Sequence, residues 1–218
     1  MRESSQRVIM LGPPASGKGT QGRRLAEALG LGYLSTGSLL RQQVAEQTPL
    51  GRRAEPILAR GAYLPDDLME PILEEWLLRQ KGGWVLDGFP RSKPQAKWLD
   101  RWLEERGTPL DAAIRLEVPY RELLARVLDR VECPECRWSG NTGDLGENRV
   151  CPKCGGTAGR RSDDTEENLE SRYREYTGTT GPVIEWYRSR GSLYTVDATA
   201  PPDEVAANIL DSVARAAA

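Results

Sequence analysis

The chain has 218 residues, 39% of them apolar, enough for one sizeable core with excursions from it. Its formal net charge is −2, so no overall positive field draws it to nucleic acid or an anionic membrane, and neither partner is expected. Histidine is absent, which excludes an imidazole base and any zinc site built with histidine.

The opening segment, MRESSQRVIMLGPP, carries an apolar run too short for the core of a signal peptide. No stretch approaches the ~18–20 apolar residues of a membrane span, and a cytoplasmic location is expected. Arginine outnumbers lysine by 25 to 5. Surface solubility accepts either, whereas the guanidinium fork is the better holder of phosphate oxygens.

In chain order, Arg7–Leu11 is a short apolar run ending at Gly12 and reads as a buried strand. Lys18–Leu29 has apolar residues at helical spacing and stops at Gly30. Residues 38–46 and 52–60 read as two short helices punctuated by Gly51 and Gly61, and Asp66 opens another through residue 79. A strand follows over 84–86, closed by Asp87-Gly88, then a helix over 92–106, a strand over 112–118 and a helix over 120–130. The pattern breaks over 133–161, which is rich in Gly, Pro and Asn. A long charged helix is expected over 165–190, then a strand over 193–196 and a last helix over 203–216.

Strands alternating with helices imply an α/β protein of three layers, a central parallel sheet covered by helices on both faces. The section near 131–162 cannot pack like the rest and is expected to be a small inserted module. The core is then 1–35, 65–130 and 163–218, with 36–64 as a helical excursion.

Two stretches carry chemistry. Gly12-Pro-Pro-Ala15-Ser16-Gly17-Lys18-Gly19-Thr20 lies between the first strand and first helix. There, backbone N–H groups and a helix N-terminus can wrap a polyphosphate while Lys18 brings charge to its β and γ oxygens. The common form of this loop has Ser or Thr directly after the lysine; here Gly19 intervenes before Thr20. The second stretch is Cys133-Pro-Glu-Cys136 and Cys151-Pro-Lys-Cys154, two knuckles that supply four thiolates to a tetrahedral structural Zn²⁺. Four protein ligands leave no open position for water, so the metal is expected to be structural.

GPPASGKGTQ, then STGSLLR (35–41), then DGFPR (87–91) with Gln95 four residues on, resemble the adenylate kinase family. RRSDD followed by Arg172 fits the same likeness, and so does the cysteine insert, which is similar to the lid of the long, zinc-bearing forms. The likeness runs through nearly the whole chain. It implies a P-loop fold and reversible phosphoryl transfer from ATP to AMP, giving two ADP with Mg²⁺ as cofactor.

By that resemblance, Gly12, Ala15, Ser16, Gly17, Lys18, Gly19 and Thr20 hold ATP, together with Arg126, Arg130, Ser139, Gly140 and Ala200. The segment 36–64 binds the monophosphate. AMP is met by Thr36, Arg41, Ala62, Tyr63, Leu64, Gly88, Phe89, Pro90, Arg91 and Gln95, and by Arg161 and Arg172 from the other side. Lys18, Asp87, Arg91, Arg126, Arg130, Arg161 and Arg172 form the catalytic set, with Asp87 ordering Mg²⁺-bound water beside Thr20. Asp163 and Asp164, read from the residues alone, belong either to a hinge where the insert rejoins the core or to an acidic helix start. By the resemblance, the lid closes over substrate to exclude water, a motion for which adenylate kinase is itself a standard example. A monomer is expected.

Thr36 and Gln95 bear on the base, since a glutamine amide can pair bidentately with adenine's edge. They weigh against a UMP or CMP kinase, where alanine is usual at the first position. Ala15, Ser38, Ala198 and Ala200 depart from the family's usual residues. Trp138, the one aromatic residue of the insert, is open to two roles: covering the donor adenine or shielding the zinc sulfurs. A zinc ribbon that binds nucleic acid is disfavoured, because Arg137, Arg149, Lys153 and Arg160 are balanced by Glu132, Glu135, Asp144 and Glu147.

Overall fold

The computed structural model describes residues 6–60, 62–136, 138–145 and 147–217. Gly61 and Arg137, both used in reading the sequence, lie outside them, as do the first five residues and the Glu147 side chain. Five parallel strands form the central sheet: β1 (Arg7–Leu11), β2 (Gly32–Ser35), β3 (Trp84–Asp87), β4 (Ala112–Glu117) and β7 (Leu193–Asp197). Their order is β2-β3-β1-β4-β7. A short antiparallel pair, β5 (Arg130–Glu132) with β6 (Ser139–Asn141), stands apart from it.

Alternation along the strands divides the apolar side chains between two cores. Ile9, Leu11, Leu34, Trp84, Leu86 and Ala113 face one side. There they meet α2 (Thr36–Ala45), α3 (Pro49–Leu58), α4 (Asp66–Leu78), α5 (Lys93–Glu104) and α8 (Gly181–Ser189). Val8, Met10, Val85, Ala112, Ile114 and Leu116 face the other side, against α1 (Lys18–Leu29), α6 (Tyr120–Asp129), α7 (Glu166–Thr179) and α9 (Pro202–Ala216). The three-layer α/β architecture expected from the sequence is therefore present.

Three local readings change. β2 was not expected: Gly-Tyr-Leu-Ser has a single fully buried residue, Leu34, and no apolar run to mark it. The long helix over 165–190 is two helices that part at Thr180, where Gly181 and Pro182 restart the chain. Proline at a helix start is conformationally apt, so a charged pattern running through this point conceals the break. The residues after α6 form β5 rather than extending the helix to 130. Several helix starts are fixed by caps, with Ser35, Thr48, Ser92 and Thr165 each accepting from a backbone N–H three residues on.

Register places the site. Ser35 pairs with Asp87 and Met10 also pairs with Asp87, so the loops after β1, β2 and β3 open side by side at the carboxyl end of the sheet. β1 has β3 on one side and β4 on the other, so chain direction across the sheet reverses there and leaves a crevice for ligand.

α3 meets α2 at Gly51, where a Cβ would lie 1.9 Å from the Gln43 carbonyl oxygen. Gly51→Ala must push the two helices apart. Overpacking of this kind costs ~1–3 kcal/mol, and in a chain this size each kcal/mol lowers Tm by ~2–4 °C. An unchanged thermal melt would show that the contact carries no such constraint.

Candidate active site

The loop from Gly12 to Gly17 leaves β1 and enters α1 through backbone conformations that favour glycine. Gly12 has φ 145° and Gly17 has φ 92°. A Cβ on Gly12 would sit 2.8 Å from Ser16 Oγ and 2.9 Å from the Leu116 carbonyl oxygen. Ala15 also lies in the left-handed region, at φ 62°. Its methyl therefore carries a backbone cost of ~1–2 kcal/mol that glycine would avoid. Lys18 Nζ donates to the Gly12 and Pro13 carbonyls at 2.9 and 2.7 Å. The Ser16 hydroxyl is buried without a hydrogen-bond partner among the described residues, as suits a group lining a polar ligand's seat. Desolvation lowers Lys18 to about 8, opposed by Asp87 and reinforced by Arg91 and Arg130.

This loop floors a cleft of about 1150 Å³ at the carboxyl end of the sheet. Lys18 and six of the expected arginines line it together: Arg41, Arg91, Arg126, Arg130, Arg161 and Arg172. Their sources are distant in sequence and include α2, the loop after β3, α6 and the return from the insert. Gly12, Ala15, Ser16, Gly17, Gly19, Thr20, Ala62, Tyr63, Asp87, Gly88, Pro90, Ser139, Gly140 and Ala200 also line the cleft.

Each arginine is held. Arg91 Nε donates to the Gly88 carbonyl at 2.6 Å, and its guanidinium lies 4.1 Å over the Tyr63 ring. Burial lowers its pKa. Arg126 donates to the Ala198 carbonyl at 2.6 Å. Arg130 makes a bidentate pair with Asp164, whose side chain is fully buried. Burial alone would lower Arg130, but Asp164 raises it. Arg172 pairs with Asp163 at 2.7 Å, and despite burial that cation keeps Asp163 below its ordinary value.

Glu132 is the residue that sequence reasoning missed. Its carboxylate pairs with Arg161 and stands 4.0 Å from Arg41, tying two walls of the cleft together. Burial and the neighbouring Arg130 and Arg41 lower Arg161 to about 10. In the sequence Glu132 had entered only as one charge in a balanced insert, and nothing local marks its partners.

The other expected residues sit elsewhere. Thr36, Leu64, Phe89 and Gln95 are buried behind the cleft wall. Thr36 Oγ1 donates to the Gly88 carbonyl at 3.0 Å, and Phe89 packs edge-on to Trp98 at 5.8 Å. Gln95 accepts from the Arg91 N–H and donates to Asp66. Asp87 is buried at the end of β3, accepting from the Tyr33 hydroxyl at 3.3 Å. The hard oxygens of Asp87 and the exposed Thr20 suit magnesium.

The four cysteine sulfurs lie within 4.8 Å of one another, with two pairs at 3.5 and 3.6 Å. A zinc–sulfur bond of ~2.3 Å gives a tetrahedron edge of about 3.8 Å, so this donor set fits a zinc ion. Disulfides are absent among the described residues. Trp138 packs on this cluster and also lines the cleft, its ring lying over Gly140, so it meets both surroundings anticipated for it.

Fold and cleft together define a P-loop enzyme of the nucleotide-phosphorylating class. A family model described as adenylate kinase matches residues 10–192. The adenylate kinase of Thermosipho africanus is 40% identical over 212 residues, covering 95% of this chain and 99% of that protein. That of Thermus thermophilus is 42% identical over 204 residues, 94% of this chain and 95% of the relative. That of Archaeoglobus fulgidus is 41% identical over 199 residues, 88% and 90% respectively. The chain belongs to the adenylate kinase family. Among the described residues no helix is long and apolar enough to cross a membrane.

The cysteine cluster yields a direct expectation. Structural zinc in small modules contributes ~10–16 kcal/mol of apparent binding free energy. Protein purified without chelator should hold about one equivalent of zinc by mass spectrometry. The Cys151→Ser/Cys154→Ser variant should lose the metal and melt lower, yet keep the circular dichroism of its sheet. Four freely titrating thiols in native protein would refute the site.

Proposed function

We propose that this chain catalyses reversible transfer of the γ-phosphoryl group of ATP to AMP, giving two ADP. The observation that carries the reading is the convergence of Lys18 and six arginines on one cleft above the glycine-rich loop. Two polyanions can meet end to end only where their repulsion is neutralised and the reacting oxygens are aligned. ATP lies with its phosphates in the loop from Gly12 to Thr20, Lys18 leaving the carbonyls of Gly12 and Pro13 for the β and γ oxygens. Arg41 and Arg91 take the AMP phosphate. Arg126, Arg130, Arg161 and Arg172 surround the transferring group and stabilise its equatorial charge.

Asp87 and Thr20 would hold magnesium bound with ATP, which would supply charge neutralisation at the phosphates. Asp87 holds the region in place through Tyr33 and draws Lys18 toward the cleft. The insert, organised by zinc at Cys133, Cys136, Cys151 and Cys154, closes over the donor and excludes water. Thr36 and Gln95 favour AMP over UMP or CMP. Residues 36–64 and 131–162 thus move against the core, and the protein works as a cytoplasmic monomer on ATP, AMP and ADP.

Offering ATP–Mg²⁺ with AMP, UMP, CMP and GMP in turn, and measuring diphosphate formation, tests the reading; preference for a pyrimidine acceptor overturns it. Arg172→Ala should lower kcat by ~10³–10⁵-fold, the worth of a phosphoryl-stabilising arginine. It should also lower the melting temperature, because Asp163 loses its cation.

The charge on Lys18 gives a pH test. Its pKa of about 8 means the side chain is charged below that pH and loses its proton as pH rises through it. ATP affinity, measured calorimetrically between pH 6.5 and 9.5, should weaken by up to ~tenfold per pH unit above the transition, the limit for one linked proton. Lys18→Met should bind weakly with a flat profile. An unbroken wild-type profile across this range would show that Lys18 keeps its proton there, and unchanged ATP affinity in Lys18→Met would remove Lys18 from phosphate binding.

A further inference from the structure

Gln95 is buried, and its amide is engaged at both ends by groups that cannot exchange roles. The backbone N–H of Arg91 can only donate, and it meets Oε1 at 2.8 Å. The carboxylate of Asp66 accepts, and it meets Nε2 at 2.7 Å. Turning the amide over would set N–H against N–H and oxygen against oxygen, so one orientation is enforced. Each end keeps one further capacity, a second lone pair on Oε1 and a second N–H on Nε2.

We propose that Asp66 is a positioning residue: with the Arg91 N–H it fixes the flip of the Gln95 amide and so makes the acceptor site choose a 6-amino purine over a 6-oxo purine. This rests on the reading that Gln95 meets the acceptor base, whose edge must then reach the amide where it lies buried behind the cleft wall. Adenine offers a donor at N6 and an acceptor at N1, whereas hypoxanthine and guanine offer an acceptor at O6 and a donor at N1. A free glutamine serves either edge by a half-turn of its amide. A clamped one serves a single edge, so the discrimination resides in the clamp and not in the glutamine alone.

Asp66 is the first residue of α4, and a negative charge there also favours the helix start. Asp67 supplies that charge as well, so the helix does not need Asp66 for it. The bond to Gln95 spans 29 positions in sequence and belongs to no local motif.

The test is steady-state kinetics with ATP–Mg²⁺ and either AMP or IMP, which differs from AMP only at the discriminating edge. Wild type, Asp66→Leu, Asp66→Asn and Gln95→Ala are compared, each with a thermal melt, and Asp66→Ala replaces the leucine variant if that does not fold. The wild-type ratio of kcat/KM for AMP over IMP should fall about tenfold in Asp66→Leu, the scale of one mispaired buried group. The change should come through KM, rising for AMP and falling for IMP. Asp66→Asn can offer an oxygen or, by turning its own amide, an N–H, so it should hold less of the ratio than the carboxylate and more than leucine. Equal losses on both substrates in Asp66→Leu would reduce Asp66 to a structural residue. A wild-type ratio near one overturns the clamp. If Gln95→Ala leaves the ratio intact, the reading of Gln95 itself has failed. If Gln95→Ala collapses the ratio while Asp66→Leu does not, the clamp alone is wrong.

Discussion

Cations crowded into one cleft repel each other, and the cost shapes everything around them. Two like charges 4 Å apart near a protein surface repel by ~4 kcal/mol. The protein answers with a carboxylate or a carbonyl against each one. Asp164 grips Arg130, Asp163 grips Arg172, and Glu132 stands between Arg161 and Arg41. Lys18, Arg91 and Arg126 lean on backbone oxygens of Gly12 and Pro13, Gly88 and Ala198. Those oxygens belong to loops that follow β1, β3 and β7, so the order and register of the sheet decide where positive charge can gather. Burial lowers the pKa values of Lys18 and Arg161, and the repulsion that remains adds to that lowering.

The two cores divide the labour that follows from this arrangement. α2 and α3 rest on the first core, through Leu40 and Ala54, and bring Arg41 to the cleft. α6 rests on the second, through Leu123 and Val127, and brings Arg126. The cleft is therefore walled by elements anchored to opposite faces of one rigid sheet. Arg161 arrives from the insert, whose buried centre is little more than Cys133, Cys151 and Ala158. That segment lacks the apolar area to order itself, which is why its sulfur tetrahedron matters.

How much of this was legible in the sequence depends on how far apart the interacting residues lie. The glycine-rich loop was readable because strand, glycines, lysine and helix follow one another within a dozen residues. The cysteine tetrad was readable because two identical spacings announce four ligands. β2 was not, since an edge strand of four residues shows no periodicity. The helix break at Thr180 was hidden because proline suits a helix start as well as it ends one, and only the buried Thr180 hydroxyl, donating to the Arg91 carbonyl at 3.2 Å, gives the kink a tertiary reason. Glu132 and Asp66 lay beyond reach for another cause. Each has its effect through a partner 29 residues away in sequence, and an acidic residue on a surface-like segment carries no mark of that partner.

The pairing of Arg130 with Asp164 joins the two points at which the chain leaves and re-enters the core. Glu132 and Gly159 exchange backbone hydrogen bonds just beyond them, so the neck of the insert is two strands wide. A loop whose ends already touch can be lengthened, shortened or exchanged at small entropic cost, because closure depends only weakly on what lies between. The cysteine-bearing segment is in that sense a cassette: a different closure across the same neck would leave every strand of the central sheet where it is.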